Sequence, residues 1–128
     1  MPFRTATDYE SYLARLRAFP ALVAQEIRLM RDGLESGFSL SRSVLAGLDQ
    51  TAQSHVVADP EQSVFFAPFR MLPAAVPDAD RVRLADAGRR AIETAVVPAY
   101  RSLAEFLRGD YAARARGSAR PEIGRAHV

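Results

Sequence analysis

Apolar residues recur at helical spacing between Ala85 and Leu107 and keep one register for about six turns, the longest such pattern in the chain. Pro98 lies inside the pattern without shifting it, so the sequence predicts one long, kinked helix and not two separate helices. The predicted buried stripe consists of Ala85, Ile92, Val96, Ala99, Leu103, Phe106 and Leu107.

Charge and glycine mark the ends of this predicted long helix. Asp78 and Asp80 suit the positive end of a helix dipole and therefore predict its first turn. Gly109 predicts an end just after Arg108, although Tyr111 continues the apolar stripe beyond that point.

Two further helices are predicted near the start of the chain. Thr7 and Glu10 have the spacing of a capping box, so the first helix should begin at Thr7 and end near Phe19. The second should run from about Pro20 to Ser36, with Gly37 as its C′ residue. Its predicted buried stripe is Val23, Ile27, Met30 and Leu34, widened by Leu22 and Leu29.

A third helix should start after Ser39 or Ser41 and stop at Ala58-Asp59-Pro60. Its predicted stripe is Val44, Leu45, Leu48, Ala52 and Val56.

The most aromatic stretch of the chain contains Phe65, Phe66 and Phe69. It could be a ligand patch, but a connection pinned to the core by its side chains is the more common use of such a segment, and we favour the core. No run alternates with period two for long enough to predict a strand. The predicted fold class is therefore all-α, an array of about four amphipathic helices.

Composition narrows the function. The chain has no Cys, which excludes disulfides and thiolate metal sites, and it lacks the long apolar run of a membrane span. All 17 basic residues are Arg, and the positive excess lies after residue 107, not on a helical face. A DNA or RNA partner needs a basic stripe on a folded surface, so we expect no nucleic-acid and no membrane partner.

No motif of the chain specifies a reaction. The two histidines, His55 and His127, are far apart in sequence, and neither belongs to a zinc-binding helix motif. Phosphate-binding loops, dinucleotide fingerprints and nucleophile elbows are missing as well. We therefore assign no catalytic, cofactor-binding or metal-ligating residue, and we interpret His55 as an ordinary residue near a helix end.

Several stretches resemble a bacterial family known only as domain of unknown function 885. The resemblance spans roughly residues 3–117, and its most specific part is the segment from Val97-Pro98-Ala99-Tyr100-Arg101 to Asp110-Tyr111. The other matching segments are Asp8–Leu16, Phe19-Pro20, Gln25-Glu26-Ile27, Arg31-Asp32-Gly33 and Gly37. Ser41 and Ala113 stand where family members often carry proline.

The resemblance implies a largely helical, zinc-peptidase-like protein that is considerably longer than this chain. The presumed zinc site of such proteins lies in a later region that contains a His-Glu-x-x-Pro-Gly-His-His segment and, downstream, a Glu-Gly-Trp segment. Neither segment occurs in this chain. No site residue can therefore be transferred, no cofactor is expected in this chain, and whether the parent is an enzyme stays uncertain. The expected partner is the downstream region of the same protein. The compartment stays open, export included.

The end of the chain differs from the rest. Residues 122–128 can be encoded by a DNA string that resembles a widely used sequencing adapter, so we expect the natural sequence to break off near Pro121. We expect residues 1–117 to form a helical but incomplete domain and residues 118–128 to be a disordered tail.

Two functions follow from these observations. The first is an N-terminal supporting region of a metallohydrolase-like protein, without activity of its own. The alternative is a stand-alone small helical protein-interaction module.

Overall fold

The computed structural model describes residues 3–117 and 122–123, and it confirms the all-α prediction. Helices α1, α2 and α3 span Ala6–Arg17, Phe19–Glu35 and Arg42–Ser54. Two 3-10 turns, Pro60–Gln62 and Val64–Phe66, and the short helix α4, Ala67–Arg70, lead to α5, Asp78–Ala91. Helices α6, Val97–Phe106, and α7, Ala112–Gly117, follow within the described residues.

Helix α1 starts two residues before the predicted position. Its N-cap is Thr5, whose hydroxyl accepts a hydrogen bond from the Asp8 amide at 3.4 Å, while the Asp8 carboxylate accepts from the Thr5 amide at 3.0 Å. The prediction of Thr7 as the cap was therefore wrong. The earlier start lets Phe3 pack on Tyr9 and Tyr12, with ring centroids 5.0 and 5.1 Å apart.

The connection from α2 to α3 follows the local sequence signals. Gly37 has a φ of 90° and allows the Phe38 and Gly37 amides to donate to the carbonyls of Gly33 and Leu34, which terminates α2 in a Schellman motif. Ser41 caps α3 through its hydroxyl, which accepts from the amide of Val44 at 3.3 Å. The boundary predicted at Gly37 is thus confirmed, and of the two predicted starts of α3, Ser39 and Ser41, the structure selects Ser41.

Helix α3 is less buried than its stripe predicted. It ends at Ser54, four residues before Ala58, so Val56 lies beyond it. Val44 and Leu48 are exposed, and only Ala52 of the stripe is fully buried. An amphipathic pattern identifies the apolar face of a helix but not whether a neighbour is present to cover it.

The long helix continues through Pro98, as predicted, and also past Gly109, where an end was predicted. It consists of α5, a π-helical segment Ile92–Val96, α6, a second π segment Leu107–Tyr111, and α7. The first π segment directly precedes Pro98, whose ring would clash with the carbonyl of Thr94 in a regular α-helix. The wider π turn relieves that clash, so the helix continues through Pro98.

Gly109 does not end the helix, which runs on to Gly117. The second π segment inserts an extra residue into the turn around Gly109. Leu107 and Tyr111, four residues apart, are both buried, at 1% and 2% exposure.

Two apolar cores flank the long helix. The first joins α1 to the aromatic segment: Phe66 and Phe69 are buried and Phe65 is partly buried, which confirms the core interpretation of this segment. Tyr9 and Tyr12 anchor it by donating hydrogen bonds to the carbonyls of Pro68 and Phe65 at 2.7 and 2.8 Å. The second core contains Phe106, Leu107 and Tyr111, packed against Ile27, Met30, Leu34, Leu40, Leu45 and Leu103.

The backbones of β1, Ser39–Leu40, and β2, Glu122–Ile123, form a two-residue parallel pair. A pair this short carries no detectable alternation, which is why the sequence did not predict it. The other positions of the predicted tail, 118–121 and 124–128, lie outside the described residues, so a disordered tail stays a prediction. Within the described part of the chain, no helix is long and apolar enough to cross a membrane.

Candidate functional site

His55 is the histidine that the structure describes, and it lies at the C-cap of α3 among aromatic rings. Its imidazole is 4.4 Å from the Tyr100 ring and 5.2 Å from the Phe65 ring, centroid to centroid. Phe19 packs on both of these rings, at 5.2 and 5.8 Å. His127 lies outside the described residues.

The surroundings of His55 favour packing over chemistry. Burial lowers the pKa of its imidazole, and burial likewise raises the pKa of the Tyr100 hydroxyl. Among the described residues, no carboxylate or hydroxyl forms a hydrogen bond with this imidazole, so nothing there orients it as a general base requires. Within the same part of the chain, no group of three His, Asp or Glu is arranged to hold a metal.

The more distinctive surface features lie on either side of α2. This helix has no fully buried side chain, although its predicted stripe Val23, Ile27, Met30 and Leu34 does face the molecule and is half-buried. Leu22 and Leu29 were predicted to widen that stripe, but they are 54% and 56% exposed. At about 100° per residue, they lie on one side of the helix, roughly a third of a turn from the stripe.

One groove, of about 430 Å³, separates α2 from α6. We call it the α2–α6 groove; its walls are Pro20, Val23, Ala24, Ile27, Arg28 and Arg31 of α2 and Pro98, Ala99 and Ser102 of α6. Small side chains and prolines make it shallow and mostly apolar. The charged groups among its described lining residues are the two arginines.

A second hollow, of about 380 Å³, lies on the other side of α2. It is lined by Phe19, Leu22, Val23, Gln25, Glu26 and Tyr100, so it joins the exposed Leu22 to the aromatic rings around His55. Helix α2 thus rests on the long helix with open space along both of its flanks. Sequence reasoning missed both spaces, since they depend on where two distant helices cross.

The described residues thus form a helical scaffold in which α2 is only partly covered. The sequence matches, over residues 1–127, the family described as "Bacterial protein of unknown function (DUF885)". Because this match covers nearly the whole chain, the chain belongs to that family. The predicted resemblance is therefore confirmed at the level of the family.

No curated protein sequence and no solved structure matches the chain. The zinc-peptidase-like character of the parent protein and the adapter origin of residues 122–128 stay predictions.

Proposed function

We propose that this chain is a helical supporting region of a longer, metallohydrolase-like protein, that it packs against the catalytic part, and that it has no activity of its own. The chain belongs to the family that it was predicted to resemble. That resemblance implies a larger helical protein, so the family membership supports this part of the proposal. The metallohydrolase assignment rests on that implication alone.

The observation that carries the proposal is the incomplete burial of α2. This helix holds apolar side chains on its inner stripe and again at Leu22 and Leu29 on one flank. A helix whose apolar surface extends beyond the stripe that the rest of the molecule covers commonly packs on a further element. Here it has a neighbour on one side. Since Leu22 and Leu29 are 54% and 56% exposed, covering the remainder of each would gain about 0.7–1.5 kcal/mol.

The exposed apolar residues of α3 point to the same conclusion. Val44 and Leu48 are one helical turn apart and are exposed at 47% and 38%. Scattered apolar residues are normal on a surface, but exposed pairs at helical spacing on two helices that both pack on α6 suit contact with a further element. We infer that α2 and α3 present these residues to the remainder of the longer protein.

Thiol protection tests this packing, because the chain contains no Cys and a single one can be introduced. Leu22→Cys and Leu29→Cys should react rapidly with a maleimide in residues 1–128 and at least about tenfold more slowly in the longer polypeptide, prepared without other thiols. Ser11→Cys, an exposed polar position of α1, is the matched control and should react at similar rates in both. Equal labelling of all three positions in the longer polypeptide would exclude the supporting role and favour the stand-alone module.

A second experiment tests the absence of activity. Residues 1–128 should retain no stoichiometric zinc after dialysis against a mild chelator and should cleave no peptide, since a zinc site needs three or four converging ligands. The longer polypeptide should retain zinc and should cleave peptides. Stoichiometric zinc in residues 1–128 would overturn this part of the proposal.

A further inference from the structure

The α2–α6 groove has the dimensions of a helix seat. Its α2 wall runs from Pro20 to Arg31, which at about 1.5 Å per residue corresponds to roughly 17 Å, or three helical turns. The floor of the groove consists of small residues, Ala24, Ala99 and Ser102. Small side chains at this position allow a second helix to approach closely. The apolar lining residues Val23 and Ile27 supply the surface that a helix-in-groove contact buries.

The charged groups among the described lining residues of the groove are Arg28 and Arg31. Asp110 pairs with Arg31 at the edge of the groove. Arg28 is exposed and has no ion-pair partner within the described residues. A cationic groove of this kind complements carboxylates, and the planar guanidinium group can bind one through two hydrogen bonds.

Arg31 is held in place before any partner arrives. Its guanidinium carbon lies 5.1 Å from the centroid of the Phe106 ring, and its Nη2 lies 3.3 Å from Oδ2 of Asp110. The ring contact and the ion pair restrict the arginine to the edge of the groove. Because Asp110 already partly satisfies Arg31, Arg28 is the lining arginine that has no ion-pair partner within the described residues.

From this geometry we propose that the α2–α6 groove seats an amphipathic helix whose apolar face lies on Val23, Ile27 and Ala99 and whose flanking carboxylates pair with Arg28. This inference rests on the proposed function, because the helix is assigned to the remainder of the longer polypeptide. It concerns a different flank of α2 from the one that carries Leu22 and Leu29.

Two other occupants fit the groove less well. A two-fold pairing of this chain through the groove would use the same patch on both copies and would bring arginines of like charge together. A small carboxylate amphiphile needs a pocket that encloses most of its surface, whereas this groove is open along its length. A three-turn acidic helix uses both the length and the charge.

The inference is tested in the longer polypeptide, prepared without other thiols. Ala24→Cys, which lies in the groove, should be at least about tenfold slower to label than in residues 1–128. Adding Arg28→Glu should restore its labelling while Leu29→Cys stays protected. Arg90→Glu, an exposed arginine of α5, is the control and should leave Ala24→Cys protected. If Leu29→Cys is protected but Ala24→Cys is not, the groove inference fails and the supporting role stands.

A synthetic probe tests the charge preference in residues 1–128. The probe is a 15-residue helical peptide with leucines along one face and flanking glutamates, compared with the same peptide carrying lysines. The glutamate peptide should shift the amide resonances of Ala24, Ala99 and Ser102 and bind at least about tenfold more tightly. Arg28→Glu should reverse the preference, and Arg28→Lys should retain it. Three results would each overturn the proposal. The first is equal affinity for both peptides, and the second is saturation of the same amides by decanoate at equal concentration. The third is self-association of the chain through the groove.

Discussion

The ring of Phe69 lies directly against the backbone of Gly88, so closely that a Cβ on Gly88 would stand 2.7 Å from Cε2 of that ring. Phe69 is itself held between Tyr9, Tyr12 and Phe66, with ring centroids 5.4 to 5.8 Å away. The ring therefore has little room to retreat. This contact lets the aromatic segment lie flat on α5 and closes the first core.

Gly88→Ala should destabilise the fold by about 1–3 kcal/mol, because the added methyl group overpacks a closed core. The sign is informative, since the same change in an exposed helix stabilises by up to about 1 kcal/mol. Chemical denaturation followed by circular dichroism measures the difference.

Gly47→Ala is the matched control. Gly47 lies in α3, and a Cβ there meets nothing within 4 Å. This variant should gain about 0.5–1 kcal/mol from helix propensity alone. Stabilisation by both variants would show that Phe69 does not pack on Gly88 as described.

Tyr111 makes a second test of the structure. Its hydroxyl accepts a hydrogen bond from the Leu40 amide at 2.7 Å and so ties the end of the long helix to β1. Tyr111→Phe should cost about 1–3 kcal/mol, because it leaves a partly buried amide without its partner. Tyr100→Phe removes a hydroxyl that has no hydrogen-bond partner among the described residues and should change the free energy of unfolding by less than about 0.5 kcal/mol.

Local signals explain which helix boundaries could be predicted. Gly37 and Ser41 act within one turn of their own positions, through a left-handed φ and a hydroxyl cap. The boundary at Gly37 was predicted, and Ser41 was one of the two predicted starts of α3. Gly109 carried a similar signal but was overridden. Burial of Leu107 and Tyr111 in the second core keeps the chain helical through it.

The candidate surface could not be predicted in the same way. The pattern of α2 places Leu22, Leu29 and the inner stripe on its circumference, but it does not say which neighbour covers each side. The α2–α6 groove exists because α2 crosses the long helix near Pro98 and Ala99, some 70 residues later in the chain. Only the three-dimensional arrangement brings Arg28 and Arg31 to that crossing.

Two variants test which residue, Thr5 or Thr7, is the N-cap of α1. Thr5→Ala should cost about 1 kcal/mol, since it removes the hydroxyl that accepts from the Asp8 amide. Thr7→Ala, at the exposed position that the sequence favoured, should change stability by less than about 0.5 kcal/mol. Thermal unfolding of the two variants compares them directly, and a larger loss for Thr7→Ala would restore the original assignment.

The last prediction concerns pH and rests on His55. Burial holds the pKa of its imidazole below the ordinary value of 6.5, because the charged form loses hydration among Phe65 and Tyr100. The unfolded chain, with a pKa of about 6.5, then binds more protons than the folded one in the window just below that value. The free energy of unfolding should therefore fall as the pH drops from about 7.5 to 5.

His55→Phe keeps an aromatic ring in the same place and removes the titration, so it should flatten this slope. Asp8 contributes separately: hydrogen bonds from the Arg4 and Thr5 amides lower the pKa of its carboxyl, so its stabilisation is lost only as the pH falls below about 4. The two groups act in different windows, and Asp8→Asn should therefore leave the slope between pH 7.5 and 5 unchanged. The free energy of unfolding of His55→Phe and of the unmodified chain is measured at each pH by chemical denaturation. If it changes equally with pH in both proteins, His55 is as hydrated in the folded state as in the unfolded one.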